Sequence, residues 1–199
     1  MPSDRVDVVE FTDPLCSVAW GAEPIFRHFR WRYGDRCNWR TVMGGLAGDL
    51  STGVPEWTRE SAALPMEKYW RRVTKITGQP YPKPMQLMLR STGPAGRAIK
   101  AAARQGDDVE RRCLCRIRES IFLFGRGPET ADEFLETFAG VPGFDRDRWS
   151  IDVTSSTVAD LYQADWAEAR TPNDYVRAYH WGDGEAYFTR AEAASRNLI

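Results

Sequence analysis

The first 45 residues constrain the fold most, because a short β-branched run, a long amphipathic stretch and a second short apolar run follow one another. "VDVVEF" (Val6 to Phe11) reads as a buried strand, since it is short and is closed by "TDP", with Pro14 as the stop. Residues 16–33 place Trp20, Phe26, Phe29 and Tyr33 three to six apart, the spacing of a helix with one apolar side. Pro24 is expected to kink that helix, and Gly34 and Asp35 to end it. "CNWRTVM" (Cys37 to Met43) then has the composition of a second strand before the flexible Gly44 and Gly45. Strand, helix, strand in that order is a βαβ unit, whose right-handed crossover implies a parallel pair.

From about residue 49 to 150 the pattern changes to helices broken by Gly and Pro. "GRAIKAAARQG" and "DDVERRCLCRIRESIFLFG" are the clearest; in the second, Leu114, Ile117, Ile121 and Phe124 form an apolar stripe and Gly125 supplies a stop. "TADEFLETFAG" is a short helix with Phe134 and Phe138 on one face, and "GQPYPKP" (Gly78 to Pro84) is an extended turn. "SSTVADLYQADWAEAR" is a helix capped by Ser155 or Ser156, with Val158, Leu161, Tyr162 and Trp166 on its buried side. "YVRAYHW", "GDG" and "EAYFT" read as a terminal hairpin, and "RAEAASRNLI" as a closing helix.

A chain of 199 residues is long enough for one domain with a substantial core. Its net charge of −1 gives no reason to expect a nucleic-acid partner, no apolar run approaches a membrane span, and the first residues lack a signal-peptide core. A cytoplasmic protein is expected. Four scattered cysteines, Cys16, Cys37, Cys113 and Cys115, suit thiols in a reducing compartment.

Cys16 stands where the first helix begins. There, unpaired backbone N–H groups and the helix dipole stabilise a thiolate, the form that attacks disulfides, so a lowered pKa is expected unless Asp13 points at the sulfur. "FTDPLCSVAWG", Pro24, "YGD…NWRTVMGGL" and "PAGRAIKAAARQG…RIRESIFLFGRG" together resemble the DsbA family of thioredoxin-like proteins, in particular its cytoplasmic FrnE-like oxidoreductases. The likeness covers most of residues 6–170. It implies an α/β thioredoxin-like (DsbA-type) fold in a single domain spanning 1–199, with a core of about 5–48 and 151–199 and a large α-helical insertion of about 49–150.

The family commonly reads F-T-D-P-L-C-S-x-C-W-G at this motif. The resemblance makes Cys16 the nucleophile, with Pro14, Ser17, Val18, Ala19 and Trp20 beside the substrate, but Ala19 stands where the resolving cysteine belongs. A one-cysteine site must be resolved by an outside thiol, glutathione or mycothiol acting as co-substrate without any bound cofactor. The family also implies a cis-proline against the active cysteine; Pro172 could serve, while an equally natural alignment puts that position near Arg190 to Glu192, where the chain has no proline.

Three readings follow. The first is a monothiol oxidoreductase acting on protein or small-molecule thiols and disulfides. The second is a non-catalytic adaptor presenting a protein partner, and the third a glutathione-dependent transferase or isomerase of the kappa-like type. Cys113 and Cys115, about 200° apart on a helix, cannot bridge each other. Cys37 has nothing that places it near Cys16, and His28 and His180 lack partners at ligand spacing, so no metal is expected.

Overall fold

The computed structural model describes residues 5–52, 55–61, 63–81 and 86–171, with the backbone alone for 63–69. Strand β1 (Val6–Thr12) and strand β2 (Cys37–Met43) pair in parallel over their full length, from Val6 opposite Cys37 to Thr12 opposite Met43. Helix α1 (Ser17–Tyr33) makes the crossover, followed by a single 3-10 turn, Gly34–Arg36. Six more helices follow: α2 (Ala63–Thr77), α3 (Gly93–Ala103), α4 (Asp107–Phe122), α5 (Ala131–Thr137), α6 (Arg146–Asp152) and α7 (Ser156–Ala169). The expected terminal hairpin and closing helix, with Pro172 and His180, lie outside the described residues, as does 82–84 of the proline-rich turn.

Helix α1 runs on through Pro24. Proline has no N–H for the carbonyl four residues back, so the Trp20 carbonyl is orphaned; the Gln79 side-chain amide donates to it instead, at 3.1 Å. Strand β1 departs from the expectation of a buried strand. Val6, Val9 and Phe11 are 63, 39 and 46% exposed, whereas Glu10 and Thr12 are buried. The strand alternates, and its polar side meets charge: Arg30 donates to Glu10 at 2.6 Å, with the Trp39 indole N–H at 3.2 Å, and Arg118 donates to Thr12.

One hydrophobic core joins the strand–helix–strand unit to the helices after it, running from Leu15, Trp20 and Met43 through Ile99, Ile117 and Phe122 to Trp149 and Tyr162. Helix α4 buries Leu114, Ile117 and Ile121 as the spacing predicts, but Phe124 falls beyond the helix end and is 65% exposed; Phe122 takes the core position. Helix α5 is held by a capping box in which Thr130 accepts from the Glu133 amide and Glu133 reaches back to the cap, and it buries Phe134 and Phe138. Helix α6 has no counterpart in the pattern reading; Asp145 caps it and Trp149 is fully buried.

Helix α7 is capped by Ser155 and buries Val158 and Tyr162, yet Leu161 and Trp166 are about two-fifths exposed while Asp165 is buried. The reason is an ion pair. Asp165 lies 2.8 Å from the buried Lys100 ammonium and accepts from the Met43 amide at 2.9 Å; Lys100 also meets Glu110 at 3.2 Å and donates to the Thr41 carbonyl at 2.8 Å. Trp166 lies outside this contact under the Arg170 guanidinium, 3.7 Å away. Among the described residues, no helix is long and apolar enough to cross a membrane.

Candidate functional site

Cys16 is the N-cap of α1, with extended backbone (φ −72°, ψ 104°), and its Sγ accepts the Ala19 N–H at 3.4 Å. It follows the C-terminal end of β1 directly, so the parallel pair carries it to the end of the sheet where β2 leaves through Gly44 and Gly45. Thr12 bonds this exit by accepting the Gly44 amide at 2.7 Å. Cys37 begins β2 at the opposite end of the strands, six residues of rise away, on the order of 20 Å. All four cysteines are free thiols; Cys37, Cys113 and Cys115 are buried and Cys16 is half-buried.

Asp13 is buried, and it does not aim at the sulfur. One carboxylate oxygen accepts the Leu15 amide and the other the Leu46 amide, both at 2.8 Å, fixing the loops on either side of the thiol. Burial nonetheless raises the Asp13 pKa, against the lowering effect of those amides. The expected depression of the Cys16 pKa is overturned. Burial raises it above its ordinary value; the Ala19 and Val18 amides and the Arg118 charge pull it down, but the Asp13 charge adds to the rise. The N–H groups of the first turn do not offset the burial of the thiol.

The remaining motif residues divide between scaffold and surface. Pro14 and Ser17 are buried, Ala19 is half-buried and Val18 is 56% exposed. Trp20 is buried: its indole N–H donates to the Pro80 carbonyl at 2.8 Å, and its ring stacks on Phe122 at 5.8 Å and 13°. Trp20 thus ties the turn carrying Cys16 to both the 78–81 segment and α4. Ala19 presents a methyl group beside Cys16, and no other cysteine belongs to the motif.

Behind the site, Arg118 is 1% exposed and bonds Glu23 at 2.6 Å as well as Thr12. Glu23 also accepts from Arg27 at 3.0 Å and from the Cys115 thiol at 3.0 Å. Burial would raise the Glu23 pKa, but Arg118 and these donors hold it below the usual carboxylate range. Burial and the same contact push the Cys115 thiol up to about 11, and burial pushes Cys113 to about 12, which disfavours the reactive thiolate at both. This network escaped the pattern reading. Its signal was present in the form of two charged residues, Glu23 and Arg118, set within the apolar faces of their helices. His28 is exposed, and the described residues hold no cluster suited to a metal.

The family model described as Thioredoxin matches residues 10–172 of the chain. The ClpXP adapter protein SpxH of Shouchella clausii is 28% identical over 163 residues, 80% of this chain; the chain spans about half of that relative's length, 52%. Among solved structures, the cytosolic disulfide reductase DsbM of Pseudomonas aeruginosa superposes with a TM-score of 0.65 at 18% identity, covering 97% of this chain and 95% of the other. The same reductase solved with glutathione gives a TM-score of 0.62 at 19% identity over 83% of this chain and 78% of its own. The fold is thioredoxin-like, with mixed helix and sheet.

Proposed function

The chain belongs to the thioredoxin family, and from that premise we propose that it is a thiol–disulfide oxidoreductase working through Cys16 alone, with a small thiol of the glutathione or mycothiol kind as co-substrate. The observation that carries this reading is the placement of Cys16 at the α1 N-cap, with the Ala19 amide on its sulfur and a methyl group where a second thiol would stand. Cys16 attacks a disulfide, forming a mixed disulfide and releasing one substrate thiolate. An external thiolate then attacks the Cys16 sulfur and expels the other half of the substrate. A second external thiolate takes the small thiol off as its symmetrical disulfide and restores Cys16. Electrons pass from two small thiols to one substrate disulfide.

The raised Cys16 pKa gives this cycle a direction of preference. A high-pKa thiol leaves poorly, so attack on the mixed disulfide expels the substrate sulfur rather than Cys16, and the adduct with the small thiol persists. Attack by Cys16 itself rises with pH. The similarity to a disulfide reductase solved with glutathione supports the choice of co-substrate.

The test is incubation with glutathione disulfide across pH, followed by intact mass. A single glutathione adduct at Cys16 is expected, forming with a midpoint above the ~8.5 of an ordinary cysteine and absent in Cys16→Ser. No adduct at alkaline pH overturns the reading. The adaptor reading rests on the 28% identity to the ClpXP adapter protein SpxH; it expects binding of a protein partner to be unchanged in Cys16→Ser.

A further inference from the structure

On the far half of α1 from Cys16, the groove between α1, α4 and the Val141–Pro142 loop has a volume of about 280 Å³. Arg27, Arg111, Arg112 and Arg116 line it against a single acid, Glu119, with Cys115 in its floor. Counting the acids that pair with them, Glu23, Asp108 and Glu119, the four arginines still leave one positive charge in excess, in a chain whose total is −1. Arg27 is eleven residues along α1 from Cys16, roughly 16 Å at 1.5 Å per residue, so the groove lies apart from the thiol.

Three of the four arginines share carboxylate partners that water or a second arginine also engages. Glu119 is shared between Arg116 at 3.3 Å and Arg27 at 3.5 Å, and Arg111 pairs with Asp108, a residue 78% exposed whose hold is screened by water. Arg112 has no ion pair among the described residues. Arg27 is set in place from below. The buried Glu23 holds its Nε at 3.0 Å and is itself fixed by Arg118 and the Cys115 thiol, so the Arg27 guanidinium reaches the groove without first having to be ordered.

Guanidinium groups grip planar or tetrahedral oxyanions through paired N–H donors. We infer that this groove is a binding site for a small polyanion, a molecule carrying two or three negative charges on phosphate or carboxylate oxygens, separate from the chemistry of Cys16. The volume lies just below the range of ordinary small-ligand pockets, which suits a compact ligand with Val141 and Pro142 as its apolar wall.

The test titrates the full chain with pyrophosphate and, separately, with citrate by calorimetry, in wild type, in Arg112→Ala, in Arg116→Ala, and in Arg36→Ala as an exposed arginine elsewhere. One-to-one saturable binding is expected that weakens as salt is raised and falls by about tenfold in each groove variant, with Arg36→Ala unchanged. Whichever anion binds more tightly names the oxyanion. No saturable binding of either anion overturns the inference, and so does binding that Arg112→Ala and Arg116→Ala leave intact. Thermal melting of each variant establishes that it is folded, and Cys16→Ser, which removes the thiol, leaves anion binding as it was.

Discussion

At the scale of single residues, the proposed chemistry turns on position 19. Its amide already lies 3.4 Å from the Cys16 sulfur, and the first turn of α1 places its side chain beside the N-cap. Ala19→Cys is therefore expected to form a disulfide with Cys16 on mild oxidation, seen by intact mass as the loss of two hydrogens. Reduction of substrate disulfides would then need no added small thiol for the resolving step. A variant that stays a dithiol under oxidation would show that the turn holds the two sulfurs apart. The location of Cys16 was legible in its motif, and its titration was not. The pKa is set by how deeply the thiol is buried, and by the charge of an Asp13 whose oxygens are committed to Leu15 and Leu46, a contact 33 residues apart in the second case.

Between elements, packing reverses what propensity alone would suggest. Helix α3 crosses α7 at Gly96, where an added Cβ would overlap the Tyr162 ring. In an isolated helix Gly→Ala gains about 1 kcal/mol. Here Gly96→Ala is expected to destabilise by about 1–3 kcal/mol through overpacking, read as a lower urea midpoint with an unchanged slope. The existence of α1, α4, α5 and α7 was legible from caps and apolar spacing, because those signals are local. Which face each helix buries was less so. In α7 the face turned inward carries Asp165 rather than Trp166 or Leu161, because a lysine 65 residues earlier in the sequence offers the carboxylate a partner. In β1 the inward residues are Glu10 and Thr12, since arginines of α1 and α4 reach them.

For the molecule as a whole, Lys100 acts as a tie, joining α3 to Glu110 of α4, Asp165 of α7 and the Thr41 carbonyl of β2. Lys100→Met leaves two buried carboxylates without their cation, an expected loss of about 3–5 kcal/mol near neutral pH. Burial already raises the Glu110 pKa above its unfolded value despite the opposing Lys100 charge. A carboxyl group raised on folding favours the folded state below its unfolded pKa, and that contribution is lost as pH rises through the folded pKa. Without Lys100 the rise is larger. The deficit of the variant should thus be greatest near neutrality and shrink on acidification toward about pH 5, where more of the Glu110 carboxyl is protonated. Urea unfolding at the two pH values checks this; an equal deficit at both would assign the loss to packing.

The site is also assembled in a definite temporal order. Cys16 leaves the ribosome before the residues that enclose its surroundings: Gln79 and Pro80 on Trp20, Arg118 on Thr12, Phe122 against the indole ring. Arg118 is 102 residues behind Cys16 in the chain, a delay of roughly 5–20 s at ordinary elongation rates of about 5–20 residues per second. For that interval the thiol is that of an unfolded peptide, open to solvent and to any oxidant or small disulfide in its surroundings, and more readily ionised than it will be in the finished protein. A nascent chain that acquires an adduct then would carry it into a fold that releases it slowly.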